Sequence, residues 1–494
     1  MSTFRSTGAA LAAFIMIAGG LVLLPAGSGL DSWVKTDMGM PFDKGHLTAV
    51  AAGDGDRDGS PEVYFAGGQN GGLFQFTYYP EKGAWGFESL AQGGFVATAV
   101  VVGDGDDSGN TEVYVMGMSR EPPRMRAAMF QFYQTGKGWE RVLVGTSGSS
   151  GNDMALGDGN NDSRTELFSA DSDGHIYSYS SSGNSWNVLD VGNSTPGPRG
   201  EIVPMVAVAV GDGDNDGWPE VYGASGDGSV YRFASGGFGW SMTMVYQGTL
   251  VPGPLPMMDS PSIVIGDADG DGRNELYSTS SSDGSVYSFR HDAANASWAR
   301  TKLGSLGSAV HPTSLDIGDG NTDGKAELFT GTGNNQVYMI SYDAEYGVWH
   351  SAAVGSGNGP MNDVTVASAT GNAGQKEVYA ACQDGHAYQF VVDRTPPNNP
   401  VVKSDTHPVP GKWYSASIVH VLWADVGNDV SGIDGYSYSW DQSPGTVPDA
   451  FKEVEETVHD ATSTALSPGK WYFHIRARDK ALNWNATASH FGPI

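Results

Sequence analysis

Four carboxylates are crowded into one short segment of the sequence, residues 53–65 (GDGDRDGSPEVYF). Asp54, Asp56 and Asp58 alternate with other residues, and Glu62 follows after a glycine-containing turn. Alternating oxygen side chains in a tight loop can converge on one hard cation. Because neither His nor Cys is among these residues, the set favours Ca²⁺ over zinc or copper. The segment therefore predicts a calcium loop.

The same segment recurs along the chain with a period of 50 to 55 residues. Each copy has a Glu nine residues after its first residue. The later copies are 103–115, 157–169, 211–223, 266–278, 318–330 and a degenerate seventh, 368–380. The seventh has Ala369, Gly371 and Ala373 where the other copies have oxygen-bearing side chains. We predict up to six structural calcium ions and an empty seventh loop.

Each predicted site consists of loop positions 1, 3 and 5 and the Glu at position 9. The predicted ligands are Asp54, Asp56, Asp58, Glu62, Asp104, Asp106, Ser108, Glu112, Asp158, Asn160, Asp162, Glu166, Asp212, Asp214, Asp216, Glu220, Asp267, Asp269, Asp271, Glu275, Asp319, Asn321, Asp323 and Glu327. Solvated Asp/Gly turns between strands are the alternative, because these residues are common in turns. The recurrence of the acids in six copies favours the metal.

Short alternating segments surround each loop and predict four strands per repeat. In the first repeat they are LTAVAAG (47–53), EVYFA (62–66), LFQFTYY (73–79) and WGFESLA (85–91). Period-2 alternation between turns rich in Gly, Asp and Asn is typical of strands. Four-stranded repeats of this length predict a β-propeller. The fourth strands begin at Trp33, Trp85, Trp139, Trp186, Trp240, Trp298 and Trp349.

The series of repeats begins with a fourth strand and ends with a third strand. Residues 31–39 have the pattern of a fourth strand, whereas residues 387–393 have that of a third. These two partial blades must complete each other, because an unpaired strand edge invites aggregation. We predict an all-β fold in which residues 31–393 form a seven-bladed β-propeller closed by its N-terminal strand.

Both ends of the chain differ from the repeats. Residues 1–30 contain Arg5, an apolar run and small residues, which predicts a signal peptide, with an uncleaved membrane anchor as the alternative. Either one places the protein outside the cytosol, secreted or attached to the cell surface. Residues 394–400 form a Pro-rich linker. The alternating runs in residues 401–494 predict an immunoglobulin-like or fibronectin-III-like β-sandwich.

The charge balance restricts the classes of partner. The chain has 56 Asp and Glu against 27 Lys and Arg, a formal net charge of −29. Such an acidic chain disfavours binding to nucleic-acid phosphates and favours binding to cations. Cys382 is the only cysteine, so no intramolecular disulfide can form. Calcium would supply the stability that disulfides give to many exported proteins.

The acid-rich loop between the first and second strands resembles the FG-GAP/VCBS-type propeller repeat of integrin α-subunit heads and many secreted microbial proteins. The resemblance covers residues 31–393 and implies a propeller whose loops bind Ca²⁺. Two departures are the Glu that closes each loop, where that family usually has Asp, and the missing acids of the seventh copy. DVSGIDGYSYSWD (429–441) and GKWYFHIRARDKALNW (469–484) resemble Ig-like modules of bacterial and archaeal surface proteins.

Several residues on the face opposite the loops are candidates for ligand binding. His46 and His311 precede first strands at equivalent positions, and Arg124 and Arg126 belong to the insertion SREPPRMRAA (119–128). Loops that interrupt a repeat often carry function. We predict a monomeric binding protein that recognises an extracellular glycan or surface protein. A polysaccharide lyase or glycoside hydrolase is the alternative, but the sequence contains no catalytic motif that would favour it.

Overall fold

The computed structural model describes residues 33–41, 45–67, 72–92, 95–119, 126–147, 149–183, 185–197, 200–236, 239–248, 261–307, 310–371, 374–427, 429 and 431–494. These residues form two compact units, 33–392 and 393–494. All regular elements of these described ranges are β-strands, which confirms the all-β prediction. None of these residues belongs to a helix that could cross a bilayer. The predicted signal peptide, residues 1–30, lies outside the described ranges.

The described residues of the first unit form seven four-stranded antiparallel sheets. The first strand, β1 (Trp33–Gly39), precedes six sheets that each contain four consecutive strands. The strands of these six sheets are β2 (Leu47–Gly53), β3 (Glu62–Gly67), β4 (Gly72–Tyr79) and β5 (Ala84–Gln92); β6 (Phe95–Gly103), β7 (Glu112–Ser119), β8 (Arg126–Thr135) and β9 (Gly138–Thr146); β10 (Gly151–Gly157), β11 (Glu166–Asp171), β12 (His175–Ser181) and β13 (Trp186–Asn193); β14 (Met205–Gly211), β15 (Glu220–Ser225), β16 (Val230–Gly236) and β17 (Gly239–Tyr246); β18 (Ile263–Gly266), β19 (Glu275–Ser280), β20 (Ser285–Asp292) and β21 (Ser297–Ser305); β22 (Asp316–Gly318), β23 (Glu327–Gly331), β24 (Gln336–Asp343) and β25 (Val348–Ser356).

The seventh sheet joins two distant parts of the chain. Its strands are β26 (Met361–Ala367), β27 (Glu377–Cys382), β28 (Ala387–Val392) and, as the fourth, β1. β1 runs antiparallel to β28, with Trp33 opposite Val392. The N-terminal strand thus covers an edge that β28 would otherwise expose.

The sheets pack against one another through their first strands. Each first strand contacts the first strand of the next sheet, and β26 contacts β2. Aspartates on three of these strands accept a hydrogen bond from a backbone N–H of the following sheet: Asp153 from Val208 (3.0 Å), Asp316 from Val366 (2.8 Å) and Asp363 from Val50 (2.9 Å). The bond between Asp363 and Val50 joins the seventh sheet to the first.

A tryptophan near the start of each fourth strand packs edge-on against an aromatic ring of the preceding sheet. The ring centroids are 5.8 to 6.2 Å apart. The pairs are Trp33–Phe329, Trp85–Tyr379, Trp139–Tyr64, Trp186–Tyr114, Trp240–Phe168, Trp298–Tyr222 and Trp349–Tyr277. Edge-to-face aromatic pairs contribute about 0.5–1.5 kcal/mol beyond the burial of their area. The repeated Trp of the sequence is therefore a contact between neighbouring sheets.

The described residues of the second unit, 393–494, form seven further strands in two sheets. One sheet has the order β29 (Val401–Ser404), β30 (His420–Ala424), β33 (Asp460–Thr462), and the other β32 (Val454–Glu455), β31 (Ile433–Asp441), β34 (Tyr472–Asp479), β35 (Ser489–Phe491). The two sheets share one core, to which Val421 and Trp423 contribute from the first and Tyr436, Phe473 and Ile475 from the second.

Candidate metal centres

The six predicted calcium loops share one pattern of hydrogen bonds. In the fourth loop, Asp212 accepts bonds from the backbone N–H groups of Asp216 and Gly217, both at 3.0 Å. Asp214 accepts a second bond from the N–H of Asp216, at 3.1 Å. In the other five loops, the Asp at position 1 also accepts a bond from the N–H at position 6. These bonds fix the aspartate side chains of positions 1 and 3 relative to the loop backbone.

Two positions in each loop adopt a left-handed backbone conformation. The φ angle is 57° to 73° at position 4 and 69° to 93° at position 6. Glycine adopts this conformation without steric penalty, and five of the six loops have glycine at position 6. Ser163 is the exception, with φ of 69°. The loops therefore bend in the same way despite their different side chains.

Four of the six loops bring three carboxylates together. One oxygen from each residue lies within 4.8 Å of the other two. The groups are Asp54, Asp56 and Asp58; Asp104, Asp106 and Glu112; Asp212, Asp214 and Glu220; and Asp267, Asp269 and Asp271. The third and sixth loops, with Asn160 and Asn321 at position 3, form no such group among the described residues. The remaining predicted ligands of these two loops are Asp158, Asp162, Glu166, Asp319, Asp323 and Glu327.

The glutamate at position 9 of the first loop is buried, and protein hydrogen bonds satisfy only one of its two carboxylate oxygens. Glu62 has no exposed surface, and its Oε2 accepts a hydrogen bond from the hydroxyl of Tyr64 at 3.3 Å. Its Oε1 has no hydrogen-bond partner among the described residues. Burial, followed by the nearby Asp56 and Asp58, raises the pKa of Glu62 to about 8. A buried carboxylate oxygen without a partner is costly unless a cation compensates it.

Burial has the same effect on the glutamates of the next four loops. It raises the pKa to about 7 in Glu112, Glu166, Glu220 and Glu275. Tyr114, Tyr222 and Tyr277 each donate a hydroxyl hydrogen bond to the glutamate two residues earlier, at 2.8 to 3.2 Å. In the third loop, where Phe168 replaces this Tyr, Asn160 donates to Glu166 instead (3.0 Å). Oε2 of Glu166 has no hydrogen-bond partner in the described part of the chain.

The seventh loop differs from the other six. Both oxygens of Glu377 accept bonds from protein donors: Oε1 from Thr370 Oγ1 (2.5 Å), and Oε2 from the Ala369 N–H (3.2 Å) and the Tyr379 hydroxyl (3.1 Å). The strand partner of Glu377 is Ala367, ten residues earlier, whereas Glu62 pairs with Gly53, nine residues earlier. The nine-residue spacing in the sequence therefore does not match the strand pairing of the seventh copy, where the loop between the paired residues contains one additional residue. Its glutamate is satisfied without a cation.

A guanidinium group lies within the fourth loop. Arg232 Nη2 is 2.5 Å from Glu220 Oε1, 2.8 Å from Asp214 Oδ2 and 3.6 Å from Asp216 Oδ2. The Arg232 side chain is 20% exposed. At this loop the chain provides its own positive charge for three of the four predicted ligands.

The neighbouring loops contain other donors. Arg290 forms ion pairs with Asp271 and, at 3.6 Å, with Glu275 in the fifth loop, but its side chain is 42% exposed. In the first two loops, Gln75 and Gln131 donate their side-chain amides to Asp56 (2.6 Å) and Asp106 (2.7 Å). These third-strand residues were missed by the sequence analysis, because their contacts depend on which residues lie side by side in adjacent strands.

Of the four residues predicted to bind a ligand on the opposite face, the structure describes the side chains of His46 and His311. His46 is half-buried before β2, and His311 is exposed, with its Nδ1 2.7 Å from the Ser281 carbonyl oxygen. Arg124 lies outside the described residues, and Arg126 is the first residue of β8. The structure thus leaves these four assignments as predictions.

Comparisons with known proteins support the repeat type. Residues 267–330 match the FG-GAP-like repeat family. This range extends from the fifth loop to β23, so the FG-GAP prediction is confirmed for that part of the chain. Together with the seven similar sheets, this match indicates the architecture. The chain is a β-propeller repeat protein.

Two solved structures resemble the chain at low identity. The crystal structure of Saccharomyces cerevisiae Sqt1 has 12% identity and a TM-score of 0.46, and the match covers 73% of this chain and 98% of that chain. The Myceliophteria thermophila Cps50 (Swd1) β-propeller domain has 13% identity and a TM-score of 0.46, covering 73% of this chain and 100% of that chain. Similarity at this level carries no inference about function. No curated protein sequence matches the chain.

Proposed function

We propose that this protein is a secreted or cell-surface binding protein built on a calcium-stabilised, seven-bladed propeller that its N-terminal strand closes. The observation that carries the calcium proposal is the first loop, where the buried Glu62 keeps an unpartnered oxygen beside three clustered aspartates. Carboxylate, amide and carbonyl oxygens are the ligands that Ca²⁺ prefers. The donor set therefore fits calcium.

When bound, calcium would neutralise the clustered carboxylates and hold each loop closed. The protein residues connect that effect to the packing between sheets. Tyr64 donates to Glu62, and the ring of Tyr64 packs edge-on against Trp139 of the next sheet. The same chain of contacts runs from Glu112 through Tyr114 to Trp186. The ionised glutamate thus orients the Tyr ring that packs against the Trp of the neighbouring blade.

The six loops differ in how well they would hold calcium. The first and second loops combine clustered carboxylates with neutral Gln donors. In the third and sixth loops an Asn replaces one acid. The guanidinium of Arg232 occupies the fourth loop, and the more exposed Arg290 borders the fifth. We infer that the fourth loop is the weakest of those that retain all four carboxylates.

The binding role rests on the propeller scaffold and on the insertion at residues 119–128. Arg124 and Arg126 are basic residues in an acidic chain, suited to an anionic glycan or surface protein. The two-sheet unit at residues 393–494 fits an immunoglobulin-like or fibronectin-III-like module appended to the propeller. We propose that the protein acts as a monomer outside the cytosol, after cleavage or anchoring of residues 1–30, and without nucleic-acid partners.

A screen of the calcium-loaded chain against extracellular polysaccharides tests the binding role. Retention and released sugar ends are measured together, so that cleavage by a lyase or hydrolase is detected as well. We expect retention without cleavage, and weaker retention when Arg124 and Arg126 are both replaced by Ala. Arg141→Ala is the control, because Arg141 lies over Phe130 on an outer strand. Equal retention of the double variant and the wild type would remove the insertion from the binding site.

A further inference from the structure

The C-terminal unit contains the same pentapeptide twice. Pro-Gly-Lys-Trp-Tyr occurs at residues 410–414 and again at residues 468–472. The first copy lies in the connection between β29 and β30, and the second leads into β34. More than fifty residues separate them in sequence. Identical segments at unrelated positions in a sandwich are not required by the strand pattern.

The structure brings the two copies to one cleft. Lys412, Trp413 and Tyr414 line it from the first copy, and Lys470 and Trp471 from the second. The final residues of the chain connect them: Gly411 N–H donates to the Pro493 carbonyl (2.6 Å), and Ile494 N–H donates to the Trp471 carbonyl (2.8 Å). The two pentapeptides therefore form opposite parts of a single surface.

Two aromatic side chains of the cleft, Tyr414 and Trp471, are held in place by contacts with the protein. The Tyr414 ring lies 4.6 Å from the ring of the buried His407, and its hydroxyl accepts a bond from the Val409 N–H (3.0 Å). Trp471 Nε1 donates to the Ser467 carbonyl at 2.9 Å.

Trp413 is 76% exposed, the highest value among the large apolar side chains that the structure describes as exposed. Exposing so much indole surface is unfavourable unless a ligand covers it. Together with the fixed rings of Tyr414 and Trp471, this Trp gives the cleft flat apolar surfaces.

The charged side chains that line the cleft are opposite in sign to the net charge of the chain. Lys412 and Lys470 are both exposed, and no Asp or Glu is among the lining residues. Within the described residues, neither Lys forms an ion pair with a carboxylate. The Lys412 ammonium lies 5.6 Å from the centre of the Tyr414 ring, within cation–π range. In a chain with a formal charge of −29, two unpaired lysines beside the exposed Trp413 and the half-buried rings of Tyr414 and Trp471 favour an anionic ligand.

We propose that this cleft binds an anionic carbohydrate chain, with pyranose rings against Trp413 and Trp471 and sugar carboxylates near Lys412 and Lys470. A pyranose ring has a flat C–H face that matches an indole, and its carboxylate supplies the charge that the lysines lack. Pockets of this kind combine apolar surfaces with a few placed polar groups. The ligand class rests on the proposed glycan-binding role, whereas the location is independent of the propeller and of its calcium.

Titration calorimetry of the full chain with oligogalacturonate tests the proposal, with a cello-oligosaccharide of equal length as the neutral probe. We expect binding of the charged probe, and losses of about tenfold or more in affinity for Trp413→Ala and for Lys412→Gln. Phe451→Ala and Lys403→Gln are the matched controls, since both residues are exposed in the same unit and lie outside the cleft. The controls should bind like the wild type.

Three results would overturn the inference: no binding of the charged probe, equal affinities in Trp413→Ala, Lys412→Gln and the wild type, or equal affinity for the neutral probe. A further arm repeats the titration with chelator, because oligogalacturonate itself binds calcium. Binding that persists without calcium supports the cleft, and binding that disappears contradicts it. The calcium content of the same samples reports separately on the propeller loops, so failure of one proposal is distinguishable from failure of the other.

Discussion

The guanidinium of Arg232 lies 2.5 Å from Glu220 Oε1 and 2.8 Å from Asp214 Oδ2, among the carboxylates of the fourth loop. Arg232 is opposite Tyr222 in the pairing of β15 with β16, two residues from Glu220 on the same strand. Under the calcium proposal, the metal would bind the fourth loop only after this ion pair separates. Removing one partner of a largely buried ion pair leaves the other uncompensated. In the proposed site, metal and guanidinium would therefore compete for the same carboxylates.

Replacing Arg232 with Gln should open the fourth loop to calcium. Gln75 and Gln131 are present at the equivalent third-strand positions of the first two loops, so the substitution copies a side chain that these loops already accommodate. We expect the calcium content of Arg232→Gln to rise by about one ion per chain at low free calcium. Arg141→Gln serves as the control. An unchanged content and affinity would show that Arg232 does not compete with the metal.

The glutamates at position 9 of the first loop and at the equivalent position of the seventh loop differ in their hydrogen bonds. Glu62 keeps an oxygen without a hydrogen-bond partner in the described residues, whereas both oxygens of Glu377 are bonded to protein donors. We therefore expect Glu62→Gln to lose about one calcium ion per chain and Glu377→Gln to lose none. Metal analysis after dialysis measures both. Equal losses in the two variants would contradict the assignment of the ligands.

Calcium uptake near neutral pH should release protons. Without metal, burial raises the pKa to about 8 in Glu62 and to about 7 in Glu112, so both carboxyls are partly protonated at pH 7. Calcium binds the ionised form and displaces these protons. Its affinity should fall as the pH decreases from about 8 to 6. Calorimetry in two buffers of different ionisation heat detects the release, and equal heats in both would exclude it.

The same pKa shifts predict opposite pH responses of the two forms. In the metal-free protein, Glu62 binds its proton more tightly when folded, because its pKa rises from 4.5 to about 8. The tighter proton binding therefore adds to the free energy of unfolding of the metal-free protein below pH 4.5. This stabilisation is lost as the pH rises from 4.5 to about 8. In the calcium form, stability should instead increase with pH, because binding requires the carboxylate.

The features of this fold that could be predicted are those that a short stretch of sequence encodes by itself. Alternation indicated the strands, and the unmatched strand pattern at residues 31–39 indicated its pairing with the end of the propeller. Contacts between strands were not predictable, because Arg232 reaches Glu220 only through the register of β15 and β16. The additional residue of the seventh loop was hidden for the same reason: only the pairing of Ala367 with Glu377 reveals it.

Removing residues 31–39 should destabilise the propeller unit. β28 would lose one of its two strand partners, and Phe329 would lose its edge-on contact with Trp33. We expect the truncated chain to melt at a lower temperature and to aggregate, because an exposed strand edge pairs with other chains. A chain that lacks only residues 1–30 is the control. If both chains melt at the same temperature and remain monomeric, β1 does not close the ring.

Calcium content, measured together with thermal melting in the presence and absence of chelator, tests the central claim most directly. A ligand that binds only the folded state stabilises it by about 2.7 kcal/mol per site at a hundredfold excess over its Kd. We predict several calcium ions per chain, up to six, and a melting temperature that falls sharply with chelator and is restored by calcium but poorly by magnesium. A chain without bound calcium whose melting temperature is unchanged by chelator would contradict the account.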